Sequence, residues 1–308
     1  MAIDLGDPIQ VLTALLLLVL AVVSAVMLLL TRRPSWAERQ AYRLSERAGL
    51  PFGSDSVHDA VIARVRRSAA VSLISTLVAV VLTATVWLAL PAARSPYLLW
   101  ALAFVILVVV IAGSTVIDQL RDTTFHPTPS DTRVARLATV GVRQYLDGWR
   151  TRTPDVLLVS GAGMTVVVLA AGFLGLVAPV WSGVGLLTLA FALSVRVATT
   201  AMERRVLAHP QPATDGLELA WDDLFRTDAL RSLRMSAALA AWVPVGLSFA
   251  VLLRAGLPLA SSDAGAVLGV FPWWGIPALQ VLYTVGQGRL RADLLPCAPR
   301  ATAGGRPA

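Results

Sequence analysis

Apolar residues in this chain collect in runs of roughly twenty, and nearly all of the charge lies between the runs. A helix needs about 20 apolar residues to cross hydrocarbon, so the runs predict membrane-spanning helices. Seven spans are expected, near residues 9–30, 69–90, 97–117, 156–176, 184–200, 235–253 and 270–288. The last is interrupted by Pro272 and Pro277 and carries Gln280, Thr284 and Gln287, so it is the least apolar of the set. The fold class that follows is all-α: a polytopic transmembrane bundle forming one integral membrane domain over residues 1–308. The pieces between spans are three long inner loops, 31–68, 118–155 and 201–234, and a flexible tail, 289–308.

Composition agrees with this reading. The 308 residues are 56% hydrophobic and 15% charged, with mean hydropathy +0.70; soluble domains carry about 25% charged residues. The first eight residues hold Asp4 and Asp7 and no arginine, unlike the positive start of a cleavable leader, so residues 9–30 are expected to stay as a span. The formal net charge is +7, and all 26 basic residues are arginine. Arginines near span ends settle on the cytoplasmic side. Only Arg94 and Arg254 fall on the other side, which predicts a cell-membrane protein with its N-terminus outside and its C-terminus in the cytoplasm. Trp87, Tyr97, Trp100 and Trp181 fall at the predicted outer ends, where indole and phenol rings favour the interface. With the basic charge explained by topology, no nucleic-acid partner is called for; the expected partners are the bilayer and the anionic lipid headgroups of its inner face.

The inner loops share a pattern. Each holds a proline break followed by a capping residue: Leu50-Pro51-Phe52-Gly53-Ser54-Asp55, His126-Pro127-Thr128-Pro129-Ser130-Asp131 and His209-Pro210-Gln211-Pro212-Ala213-Thr214-Asp215. Proline ends one helix, and the Ser or Asp oxygen caps the free N–H groups of the next. The chain therefore reads as three hairpins, each a span, a break, an amphipathic inner helix and a second span, followed by a seventh helix. In layout this resembles the mitochondrial carrier family. That family's Pro-x-[Asp/Glu]-x-x-[Lys/Arg] signature is missing, however: the nearest stretch, Ile117-Asp118-Gln119-Leu120-Arg121, lacks the proline.

The third inner helix, 217–233, is the clearest case. Leu217, Trp221, Leu224 and Phe225 share one face, with Asp222, Asp223 and Arg226 turned away from it. Trp221, Phe225, Arg231 and Arg234 are accordingly candidate contacts to a partner or to lipid. Arg196, within two turns of the inner end of the fifth span, joins them as a snorkelling headgroup contact. Gly161-x-x-x-Thr165 in the fourth span and Pro244 in the sixth predict close helix packing and a kink.

Catalytic signatures are missing. The sequence has no phosphate-binding Gly-x-x-x-x-Gly-Lys loop, no His-Glu-x-x-His and no Gly-x-Ser-x-Gly. One cysteine, Cys297, rules out a disulfide within the chain, and His58, His126 and His209 have no zinc-site spacing. No span has a carboxylate at its middle. The expectation is an integral membrane protein without enzymatic activity, metal or cofactor: a scaffold or complex subunit that presents basic cytoplasmic helices, with a possible cytoplasmic protein or ATPase as partner. The competing reading is a small-solute transporter, or the permease component of an ABC-type system.

Overall fold

The computed structural model describes residues 8–89, 96–121, 141–208, 216–256 and 275–285, and among them every regular element is an α-helix. The second and third proline breaks, at 126–131 and 209–215, lie outside the described residues, as do the tail at 289–308 and both ends of the seventh expected span. In chain order the helices are α1 (Pro8–Thr31), α2 (Pro34–Ala48), α3 (Asp55–Ala89), α4 (Pro96–Arg121), α5 (Val142–Tyr145), α6 (Gly148–Phe173), α7 (Pro179–Ala208), α8 (Gly216–Gly256) and α9 (Gly275–Val285). Five of them, α1, α3, α6, α7 and α8, are long and apolar enough to cross a membrane. The third expected span lies within α4, whose apolar stretch is Val105–Thr115, and α9 has 11 residues.

Local sequence explains where the helices begin and end. Arg32 and Arg33 turn the chain out of α1, their N–H groups donating to Leu29 O and Leu30 O at 3.2 and 3.0 Å. Pro34 opens α2, where its fixed φ suits a first helical residue and its missing N–H costs nothing. Gly49 closes α2 in the left-handed region (φ 66°): its N–H donates to Glu46 O, and that of Leu50 donates to Ser45 O. At the first proline break Ser54 Oγ accepts the N–H of Val57 at 3.3 Å, the cap expected for the start of α3.

In α3 and α8 the inner helix and the following span are one continuous helix rather than two, whereas α5 ends at Tyr145 and α6 begins anew at Gly148. α3 runs for 35 residues and α8 for 41. At 1.5 Å per residue α8 is about 60 Å long, roughly twice the hydrocarbon thickness. No proline or glycine separates 217–233 from the sixth span, so nothing local stops the helix.

α8 is the axis of the molecule. In its most apolar window 61% of residues are buried, against 11 to 22% in the four other long helices, whose remaining apolar faces are exposed as a lipid-facing surface would be. Three core layers follow one another along it. The first packs Trp221, Leu224 and Phe225 against Ala41 and Ala48 of α2 and Val57 and Val61 of α3. The second packs Ala229, Leu230 and Leu233 against Leu146 and Val206. The third sets Leu239, Ala240 and Val243 against Val108 of α4 and Leu279 of α9, with Leu157, Phe191 and Val195 around them. Close approach at this third level depends on a glycine: a Cβ on Gly161 of α6 would lie 2.9 Å from Pro244 Cγ. One turn further along α6, Thr165 Cγ2 meets Gly185 of α7, so the Gly161/Thr165 face is a packing seam.

Candidate functional site

Between the second and third layers four charged side chains from three helices meet. Arg196 of α7 donates from Nε to Asp155 Oδ1 of α6 at 2.7 Å and from Nη1 to Thr200 Oγ1 at 2.5 Å. Arg234 of α8 donates from Nη2 to Glu203 Oε2 of α7 at 2.6 Å and from Nη1 to Thr151 O of α6 at 2.9 Å. Longer contacts of 3.9 Å, Arg196 to Glu203 and Arg234 to Asp155, close the four groups into a ring. The ring alternates in sign, so each charge taken out of water keeps an opposite neighbour, the condition under which buried ions are tolerated.

The local sequence prepares part of this. Arg196, Thr200 and Glu203 recur at four and three residues, one face of α7. Asp155 follows Pro154 near the start of α6. Tyr283 of α9, fully buried, covers the same region and donates to Arg150 O at 3.2 Å. Arg150 is itself buried beneath it, 3.6 Å from Asp147, with its guanidinium 5.0 Å from the centre of the Trp149 ring.

The candidate residues read from sequence are placed as follows. Arg196 is held by Asp155 of α6 and by Thr200 of its own helix. Arg234 and Arg231 are buried, the first in the ring and the second one turn earlier on α8. Trp221 and Phe225 are buried as well, and the chain itself covers them. The first proline break lies on Trp221: the Phe52 ring stacks on the indole at 5.6 Å and 5°, and Trp221 Nε1 donates to Pro51 O at 3.1 Å. Arg64 of α3 lies over the Phe225 ring at 4.4 Å. In this fold the face of Trp221 and Phe225 is therefore an intramolecular seam.

The polar side of the same helix is also enclosed. Asp223 is fully buried and accepts from Tyr145 OH of α5 at 3.0 Å. Arg226 donates to Asp222 Oδ2 at 2.7 Å and to Val206 O at 3.0 Å. Asp223 and Arg226 thus lie away from the Trp221 face, as the sequence suggests, and α5 and the end of α7 pack there and supply their polar partners.

Sequence reasoning missed Asp155, Tyr145 and Tyr283. For Glu203 a signal existed, its position two turns from Arg196 on one helix face. For the tyrosines and Asp155 there was none, because their partners lie far away in sequence. One exposed face at the arginine-rich end belongs to α2. Ala37, Ala41 and Ala48 face inward, while Arg39, Arg43 and Arg47 recur every four residues on the outside, beyond Arg32 and Arg33. Among the described residues no group of three or more His, Cys, Asp or Glu side chains is placed to hold a metal; His58 packs between Tyr42 and Phe52. No protein-family model matches this chain, and comparison with curated proteins and with solved structures likewise finds no match.

Proposed function

We propose that the chain is a non-enzymatic membrane scaffold or complex subunit that displays a basic cytoplasmic face on α2. The observation that carries this reading is the third core layer. At membrane depth the axis of the bundle is filled by Leu239, Ala240, Val243, Val108 and Leu279, and a solute path there would need polar groups in place of these side chains. The charged ring lies toward the arginine-rich end, where it ties three helices together.

In this reading the cell membrane is the location, the N-terminus is outside and the C-terminus inside, and seven spans cross in three hairpins plus a last helix. The arginine bias supports the orientation. The parallel between α3 and α8, each running uninterrupted from a proline break into a span, supports the hairpins. Anionic headgroups of the inner leaflet meet Arg32 and Arg33, each basic residue near such a surface contributing about 1 kcal/mol. A cytoplasmic partner meets the row of Arg39, Arg43 and Arg47.

The test is extraction in a mild detergent followed by native mass spectrometry of the affinity-purified chain. The expected result is a hetero-complex whose second component is lost from the triple variant R39E/R43E/R47E. A chain that emerges free of other proteins, and that carries labelled solute across proteoliposome membranes, would overturn the scaffold reading in favour of a carrier.

A further inference from the structure

We propose that Arg150 of α6 with Arg231 and Arg234 of α8 form a binding site for a single phosphate group at the arginine-rich end of the bundle. All three residues are buried, with exposures of 5, 7 and 8%. Each has a buried Nε–H without a hydrogen-bond partner among the described residues. Fold contacts bring them together. Arg234 is bound to the carbonyl of Thr151, next to Arg150 in the chain, and Arg150 lies within electrostatic reach of Arg231, one turn from Arg234.

The carboxylates facing these groups leave the buried part of the cluster positive. Glu203 is buried and paired with Arg234. Asp147, 3.6 Å from Arg150, and Asp155, 3.9 Å from Arg234, have side chains that are 55% exposed, and Asp228 near Arg231 is exposed. Those three stand at the exposed edge of the cluster, and among its buried groups three guanidinium charges face one carboxylate. A buried guanidinium with an unmade hydrogen bond is costly, and a phosphate oxygen is the acceptor whose charge and geometry best match its planar fork. The position suits such a ligand. Basic pockets between helices near a membrane surface take phospholipid head groups, and the partly exposed Trp149 ring beside Arg150 is of the type that lines an interface. The phosphate can come from a lipid headgroup or from solution.

The experiment is calorimetric titration of the full chain in dodecyl maltoside micelles, with sodium phosphate in one arm and phosphatidylglycerol in the other. One arm is expected to saturate at one ligand per chain, and which arm does so identifies the source. Arg231→Gln should weaken that binding about tenfold, as expected for loss of one charge-assisted hydrogen bond. R39Q/R43Q on the exposed face of α2 should leave it unchanged. Saturation in neither arm overturns the proposal, whatever the variants do. So does undiminished binding by Arg231→Gln, or equal loss in R39Q/R43Q. If Arg231→Gln does not fold, Arg150→Gln on the other helix is read by the same criteria, and its unaltered binding is equally fatal. The outcome does not depend on whether the chain is a scaffold or a carrier.

Discussion

Arg234 and Glu203 meet at 2.6 Å between α8 and α7, both buried, while Arg234 also reaches back to the carbonyl of Thr151 on α6. One guanidinium thus pins three helices at one level, just beyond the apolar layer of Leu239, Ala240 and Val243. Removing one member of such a pair leaves the other charged and buried, which typically costs 3–5 kcal/mol. Glu203→Ala and Arg234→Met are each expected to lower the unfolding midpoint in detergent strongly. The double variant should lose clearly less than the sum of the two, because it strands neither charge. Strict additivity in that cycle would show that the two groups do not act as a pair.

The seam between α6 and α8 gives a contrast of two nearby glycines. A Cβ at Gly161 would meet Pro244 Cγ at 2.9 Å, whereas one at Gly163 meets nothing within 4 Å. Gly161→Val should push the helices apart and destabilise by about 1–3 kcal/mol, as overpacking generally does. Gly163→Ala should be neutral or stabilise by up to about 1 kcal/mol, since alanine is the better helix former. Equal effects from the two, measured by thermal melts of the purified variants, would mean that α6 and α8 do not approach at Gly161.

Trp221 joins the first proline break to the central helix. Trp221→Ala removes the stacked Phe52 contact and the bond to Pro51 O, and a change of this size in a core costs about 3–5 kcal/mol. Trp221→Phe keeps an aromatic face and loses the hydrogen bond, worth about 1 kcal/mol. The specific expectation is local: Trp221→Ala should raise amide hydrogen exchange across 49–54, while Trp221→Phe should alter it little. Unchanged exchange there in Trp221→Ala would separate the break from α8.

Gly53 serves the same junction from the other side. Its φ of +76° lies in the left-handed region, and an added Cβ would run into the Leu217 side chain. Gly53→Ala therefore combines backbone strain of about 1 kcal/mol with a displaced leucine. Gly49, also left-handed, faces open space, so Gly49→Ala should cost only the backbone part. A melting shift larger for Gly53→Ala than for Gly49→Ala is the expected order, and the reverse order would contradict this packing.

The sequence and the structure divide along physical lines. Apolar runs, prolines and capping residues act over a few turns of chain, so the helical class, the long apolar segments, the Ser54 cap and the close packing at Gly161 were all legible from the residues alone. For Trp221 and Phe225 the same local logic could not say what covers their face: an amphipathic stripe looks alike whether it faces a partner, lipid or another part of its own chain. It also could not show the pairing of Arg196 with Asp155, because that acid comes from a different helix.

By itself the sequence determined which stretches enter hydrocarbon-like surroundings and where helices can start and stop, since those energies belong to residues and their nearest neighbours. Tertiary structure alone decided that α8 is the axis, that both faces of its first half are enclosed, and that Asp155, Arg196, Glu203 and Arg234 share one ring. Those outcomes depend on pairings between residues tens of positions apart, and burial there is set by what packs alongside rather than by the helix that carries the side chain.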